Sequence, residues 1–329
     1  MPSEVLAPCL DKAPKKYDDY MTELDDFFKD LAAKYLREDD NIREQSLRQF
    51  RDWIAKHPHI KKVRTDAPFL LRFLRTKKYN FINSSKMLER FLAARVLHKK
   101  WFSRLDVDEP ELGALIDAGY LFPLPERDSK GRTLIFSESS GVDPNKFTGA
   151  HACRIHMLMA EVLHDVNEVQ CAGFVLIYDF SKITLAHMNI VSFNEIRMLT
   201  RVLNNATPMR TQEVHFVNTP PAALTVANFA LQLANEKLRN RVFCHRNWEE
   251  LYTKVDKNLL PKEYGGKIPQ AELIDNFKQL CRELRPKLLA HDEMHMDVAE
   301  GSEYWKESSS ATSELDSGTI GTFRRLQVD

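Results

Sequence analysis

The segment Gln212-Glu-Val-His-Phe-Val-Asn-Thr-Pro-Pro221, with the helix and strand directly after it, decides the fold. Val214, Phe216 and Val217 make a short β-branched and aromatic run ended by a turn signal, the pattern of a buried strand. Thr219 is placed to cap a helix, and Pro220 falls at the first helical position, where its missing N–H costs nothing. No charged residue occurs from Pro221 to Asn235. Val242, Phe243 and Cys244 then form a second strand directly after the helix. Strand, crossover helix and parallel strand imply an α/β sheet.

The helix itself, over 220–238, is unusual. Leu224, Ala227, Leu231 and Ala234 share one stripe, while Val226, Phe229, Ala230 and Leu233 fill most of the remainder. Only Thr225, Asn228 and Gln232 suit water, although a surface helix needs just one apolar stripe. The segment is too short and too polar to span a bilayer, which takes about 20 apolar residues. Two readings stay open from the residues alone. The helix is either covered on both sides by core, or closes a cavity with one face and meets a membrane surface with the other. Lys237, Arg239, Arg241 and Arg246 near its C-terminal end complement the helix dipole, and would equally grip an anionic headgroup.

Outward from this unit, Tyr120–Leu124 and Thr133–Phe136 read as strands around the turn Arg127-Asp-Ser-Lys-Gly131, and Gly173–Asp179 as a third. Helices are expected over 148–170, 190–206 and 270–289. Upstream, Leu24, Phe27, Phe28, Leu31 and Tyr35 form one helical stripe; Ile42, Leu47, Phe50 and Ile54 form another. Two further helices, from Asp66 and from about Asn83 to Trp101, complete a small bundle. The resulting plan is a flexible leader over 1–16, a helical domain over 17–109, an α/β domain over 110–290 and a disordered Ser- and Glu-rich tail over 291–329.

Composition removes several functions. Forty-seven basic and 47 acidic side chains cancel, which argues against bulk nucleic-acid binding and leaves only a local patch for anions. No apolar N-terminal h-region and no 18-residue apolar run occur, so neither signal peptide nor membrane span is expected. The five scattered cysteines lack C-x-x-C spacing and read as reduced thiols of a cytoplasmic chain. Neither G-x-G-x-x-G nor a P-loop is present, and Ser139-Ser140-Gly141 lacks the nucleophile-elbow spacing. His151, His156 and His164 do not match a metal-helix spacing. His291 and His295, beside Asp292, Glu293 and Asp297, read as a solvated polar run rather than a metal site. The chain is therefore read as a non-enzyme without cofactor or metal.

Five stretches carry a family resemblance: Phe69-Leu-Leu-Arg-Phe-Leu-Arg-Thr-Lys-Lys-Tyr-Asn-Phe81, Gly131-Arg-Thr-Leu-Ile135, Gly173-Phe-Val-Leu-Ile-Tyr-Asp-Phe180, Val214-His-Phe-Val-Asn-Thr-Pro220 and Leu260-Pro-Lys-Glu-Tyr-Gly-Gly266. In this order, over roughly 40–285, the chain resembles the CRAL-TRIO lipid-binding family, leaning toward its tocopherol- and retinaldehyde-binding branch. The resemblance implies a helical N-terminal domain and an α/β domain with a mainly parallel sheet and a hydrophobic cavity under a helical gate.

Periodicity alone reads the inward positions as solid core; the resemblance turns them into cavity wall. They are Cys153, His156, Met157 and Ala160, then Phe174, Leu176 and Tyr178. Val202, Leu203, Val214 and Phe216 complete the wall, with Leu224, Ala227 and Leu231 on the gate. His156 and Ala160 stand where the tocopherol-binding pattern has serines, and Cys153 where it has phenylalanine, so cargo identity does not carry over. Arg210, Lys237 and Arg241 match positions that contact phosphatidylinositol bisphosphate in that branch, and Arg72 a further basic position of the helical domain; Gln212 replaces a fourth. The expected function is a monomeric, non-enzymatic carrier of one tocopherol-, retinoid- or isoprenoid-like molecule that exchanges it at phosphoinositide-containing membranes. A phospholipid exchanger or sensor, or a scaffold with a vestigial cavity, are the rivals.

Overall fold

The computed structural model describes residues 6–21, 24–139, 141–233 and 236–304. In chain order the strands are β1 (Ile60–Lys62), β2 (Phe122–Arg127), β3 (Thr133–Glu138), β4 (Phe174–Asp179), β5 (Thr211–Val217), β6 (Val242–His245) and β7 (His295–Met296). β2 to β6 form one sheet in sequence order. β2 runs antiparallel to β3, and the remaining neighbours are parallel. Leu176 pairs with Val214 and Tyr178 with Phe216, so these four side chains share one face. The opposite face, with Val175, Ile177 and Val217, is buried. Gly173 opens β4 at φ 79°, and a Cβ there would meet the Arg210 carbonyl oxygen at 2.1 Å. No other residue fits both the angle and the space.

Several helices differ in extent from the expected spans, each for a local reason. The span 148–170 divides into Gly149–Leu163 and Asn167–Ala172, because Asp165 is held at the break by Arg64, Arg72 and Lys287. Pro286 divides 270–289 into Gln270–Glu283 and Arg285–Ala290. The helix expected to be the gate begins at Pro221, not Pro220, because Asn218 turns through φ 56° after β5. The Thr219 hydroxyl consequently caps nothing; it is buried without a partner. The gate continues as Glu236–Arg239, and residues 234 and 235 lie outside those described.

The N-terminal helices Asp26–Leu36, Asp40–Lys56, Ala67–Thr76 and Phe81–Leu97 begin with side-chain caps from Asp25, Asp39, Asp66 and Asn80. Phe69, Phe73 and Phe91 meet edge to face at the centre of the last two. Helix Asp26–Leu36 departs from the bundle plan. Its Phe28, Ala32 and Leu36 pack on Cys171 and Ala172 of the α/β domain.

Neither end obeys the leader-and-tail expectation over its described part. Leu10 packs on the bundle core, its carbonyl accepts from Val63 N–H at 3.0 Å, and Lys12 Nζ donates to the His57 carbonyl. Past residue 290 the chain returns to the bundle, where β7 pairs antiparallel with β1 and Met294 and Met296 enter its core. His291 does not belong to a solvated run: it is fully buried between Arg64 and Glu161. Of the disordered tail expected over 291–329, residues 305–329 lie outside the described residues. Met296→Ala is expected to lower unfolding stability by roughly 2–3 kcal/mol, the lower part of the range for a buried methionine. Denaturant titration measures it, and an unchanged midpoint would mean that β7 is not seated.

Where bundle, α/β domain and returning segment meet, charges are buried in contact. Arg72 lies between Glu161 at 2.7 Å and Asp165 at 2.6 Å, with both its side chain and that of Glu161 almost wholly excluded from solvent. Arg95 reaches Glu161 at 3.2 Å and Lys287 reaches Asp165 at 2.9 Å. His291, Arg72 and Arg95 at Glu161, and Arg64, Arg72 and Lys287 at Asp165, outweigh burial and hold both carboxyls well below the usual carboxylate range.

Candidate functional site

A cavity of about 1100 Å³ lies between the free face of the sheet and the helices that cross it. Small-molecule pockets usually span about 300–1,000 Å³. Phe174, Leu176 and Tyr178 of β4 and Val214 and Phe216 of β5 form one wall. Cys153, His156 and Ala160 of helix Gly149–Leu163 form another, with Leu203 from helix Phe193–Asn205 and Leu231 from the gate.

Three expected wall residues point elsewhere. The lining stripe of helix Gly149–Leu163 also includes Ala152, Met159 and Leu163 and centres on His156. Met157, about 100° further round, turns into solid core instead. Val202 faces a separate void of about 40 Å³ beside Ala94 and His98. Leu224 is half-buried and does not line the cavity, and the side chain of Ala227 lies outside the described residues. Tyr120, Leu199 and Met209 line the cavity as well, and the sequence pattern does not mark them. Tyr120 reads as the first residue of a strand; it precedes β2, so the alternation that marks Tyr178 gives no signal there.

The wall is mainly apolar, with Ser137, Thr200 and Thr207 among its polar members and a hydrogen-bonded group around His156. Its Nδ1 is 2.7 Å from the Ala152 carbonyl and its Nε2 is 3.1 Å from the Tyr178 hydroxyl. Burial pushes His156 below its ordinary value and the Tyr120 and Tyr178 hydroxyls above theirs. The histidine is neutral and the tyrosines protonated at neutral pH.

The cavity opens at a basic mouth. Lys77, Lys78, Arg210, Lys237 and Arg241 all line it. Partial burial, and then repulsion from Arg241, Arg210, Lys78 and Lys77, depress Lys237. Arg210 is pushed down to about 10, mainly by burial, and its Nε has no partner. Arg241 donates to the Thr211 carbonyl, and Gln212 to the Ala172 carbonyl at 2.9 Å. Glu213, the acid at this edge, is taken up by Arg132 at 2.8 Å. Lys77, Arg210, Lys237 and Arg241 are each pushed below their ordinary values, mainly by burial, and cations gathered in this way suit an anionic group. Arg72 is not part of it. That guanidinium is fully enclosed by Glu161 and Asp165. Its place at the mouth is taken by Lys77 and Lys78, at and just past the end of the same helix, which in the sequence merge into a general basic run.

Among the described residues no three potential metal ligands come together, and no helix is long and apolar enough to cross a membrane. Residues 117–266 match the CRAL/TRIO domain, and residues 39–112 the Pinta-like, UBA domain. Clavesin-1 of Xenopus laevis is 29% identical over 239 residues, 72% of this chain and 72% of its own length. Clavesin-2 of Homo sapiens is 27% identical over 243 residues, 74% of each. The crystal structure of Sfh5 aligns with a TM-score of 0.45 at 13% identity, covering 77% of this chain and 92% of its own. The five motif stretches, the cavity under a crossover helix and the matched domain converge: residues 117–266 of this chain are a CRAL-TRIO domain, the domain of a lipid-binding family.

Proposed function

We propose that this protein is a non-enzymatic carrier that holds one hydrophobic molecule and exchanges it at anionic, phosphoinositide-containing membranes. The observation that carries the reading is the continuity of one large apolar cavity with a five-cation mouth. A lipid of about 20 carbons gains roughly 0.8 kcal/mol per buried CH₂ and leaves a bilayer for water extremely slowly. A cavity that opens against the membrane replaces that step with a transfer between two apolar surroundings. Helix Pro221–Leu233 is the proposed gate. It crosses from β5 to β6 and ends beside Lys237 and Arg241, so a headgroup bound there touches the hinge of the lid. A tocopherol, retinoid or other isoprenoid suits the enclosed wall.

The mouth also favours a second reading, a phospholipid whose acyl chains fill the cavity while its phosphate rests on Lys237 and Arg241. Native mass spectrometry of protein purified from its own source separates the two. A single stoichiometric isoprenoid is the expected result, and a phospholipid would establish the exchanger. An empty protein that takes up no lipid from vesicles would remove both.

A further inference from the structure

Helix Asp26–Leu36 turns one face to the α/β domain and leaves the adjoining face bare. Phe28, Ala32 and Leu36 are buried on Cys171 and Ala172. Phe27 and Tyr35, by contrast, are 50% and 54% exposed, and Leu31 between them is half-buried. At about 100° per residue these three form a stripe roughly 80° wide. Lys34 stands about 60° from Leu31 around the helix, with its Nζ 5.2 Å from the centre of the Tyr35 ring. Asp26 and Asp30 lie farther round, about 100° or more from Leu31, so the stripe holds no carboxylate.

The stripe borders the basic mouth. Leu31 and Tyr35 line the cavity together with Lys77, Lys78, Lys237 and Arg241. Ala172, on which the helix rests, accepts from Gln212 at the sheet end of the mouth. Glu38, just past Tyr35 in sequence, clamps Arg75, just before Lys77. At the other end Phe27 lies against the turn between β2 and β3, where a Cβ on Gly131 would come within 2.7 Å of its ring. Lys130 of that turn also lines the cavity. Lysines are depleted at protein–protein interfaces, whereas an anionic bilayer attracts them. A tyrosine in the same place suits the bilayer too, with its ring at the acyl boundary and its hydroxyl among the headgroups. The helix precedes both matched segments, 39–112 and 117–266, so neither match covers it.

We propose that Phe27, Leu31 and Tyr35 form a docking ridge that enters the surface of an anionic bilayer beside the mouth. The inference rests on the carrier reading above and adds an apolar anchor that belongs to neither the gate nor the cavity floor. Interfacial binding grows with the apolar area buried and with the attraction of cations to anionic lipid. The ridge supplies the first contribution and the mouth the second. Salt separates them, because it screens the cations and leaves apolar burial in place.

The test sediments the full-length chain with phosphatidylcholine vesicles that carry phosphatidylinositol bisphosphate, at low and at high salt. Tyr35→Ala alters a side chain that is more than half exposed, so the core stays intact. It is expected to weaken binding about tenfold at both salt concentrations, the scale of roughly 100 Å² of aromatic surface partly immersed in lipid. Tyr35→Trp is expected to keep the affinity and to add emission, relative to the unmodified chain, that brominated acyl chains quench. Unchanged binding of Tyr35→Ala, a loss that disappears at high salt, or added emission that brominated lipid leaves untouched would each overturn the ridge and leave the carrier standing. Unchanged vesicle binding with a shift in the sedimentation of the free chain would also overturn it, and would give this face to a second copy. No binding of the unmodified chain to these vesicles would overturn the membrane reading, and the ridge with it.

Discussion

Arg72→Ala is expected to lower folding stability by about 3–5 kcal/mol, the cost of leaving buried charge without its partner. Arg72 is wholly enclosed, and its removal takes one cation from the buried Glu161 and the largely buried Asp165. Arg95 and Lys287 would remain, but each carboxylate would lose its shortest ion pair to the bundle. The network also ties Arg64 and His291 into the same corner, so the loss is shared by three parts of the chain. Denaturant unfolding measures the effect. Vesicle binding by the folded fraction, measured in the cold, is expected to match the unmodified protein. A variant of unchanged stability that no longer binds phosphoinositide vesicles would put Arg72 back among the headgroup contacts.

The second large effect concerns the mouth. Lys237→Ala with Arg241→Ala is expected to weaken binding to phosphatidylinositol bisphosphate vesicles roughly thirtyfold, at about 1 kcal/mol for each cation near an anionic leaflet. Both side chains are partly exposed, so folding is little affected; Arg241 loses only a bond to the Thr211 carbonyl. Lipid loading in solution should persist, because neither residue belongs to the deep wall around His156. Raising the salt concentration should shrink the difference between the two proteins, since the attraction is screened. Unchanged vesicle binding at low salt would remove these cations from the mechanism.

Much of this architecture can be read from residues whose side chains obey a simple period. Phe174, Leu176 and Tyr178 alternate along a strand, and the structure keeps them on one face with Val214 and Phe216. Cys153, His156 and Ala160 hold a helical stripe, and they too reach the cavity. Legibility ends where a period has an edge or where charge overrides it. Met157 satisfies the i, i+4 rule from Cys153 yet lies about a hundred degrees beyond the centre of the stripe. Tyr120 sits in a turn, where no period applies.

Arg72 shows the other failure. A basic residue on an amphipathic helix reads as surface, and nothing local in the sequence announces that Glu161 and Asp165, about ninety residues away, will enclose it. The returning segment is hidden for the same reason, because a polar stretch gives no sign that two methionines inside it find a remote core.

That buried corner also acts as a gauge block for the mouth. Arg72 and Arg75 lie on helix Ala67–Thr76, whose end presents Lys77 and Lys78 to the cavity. Arg75 is clamped to Glu38 by paired bonds of 2.8 and 2.7 Å, and its carbonyl receives the Arg210 guanidinium. The two jaws of the mouth, one from the bundle and one from the sheet, are thus pinned to a common anvil, and the β1–β7 ladder binds the bundle to the last stretch of described chain. Widening the jaws would break the Arg72 ion pairs to Glu161 and Asp165 and the Arg210 bond to the Arg75 carbonyl. In the proposed mechanism the lid therefore moves while the spacing of the basic mouth stays fixed.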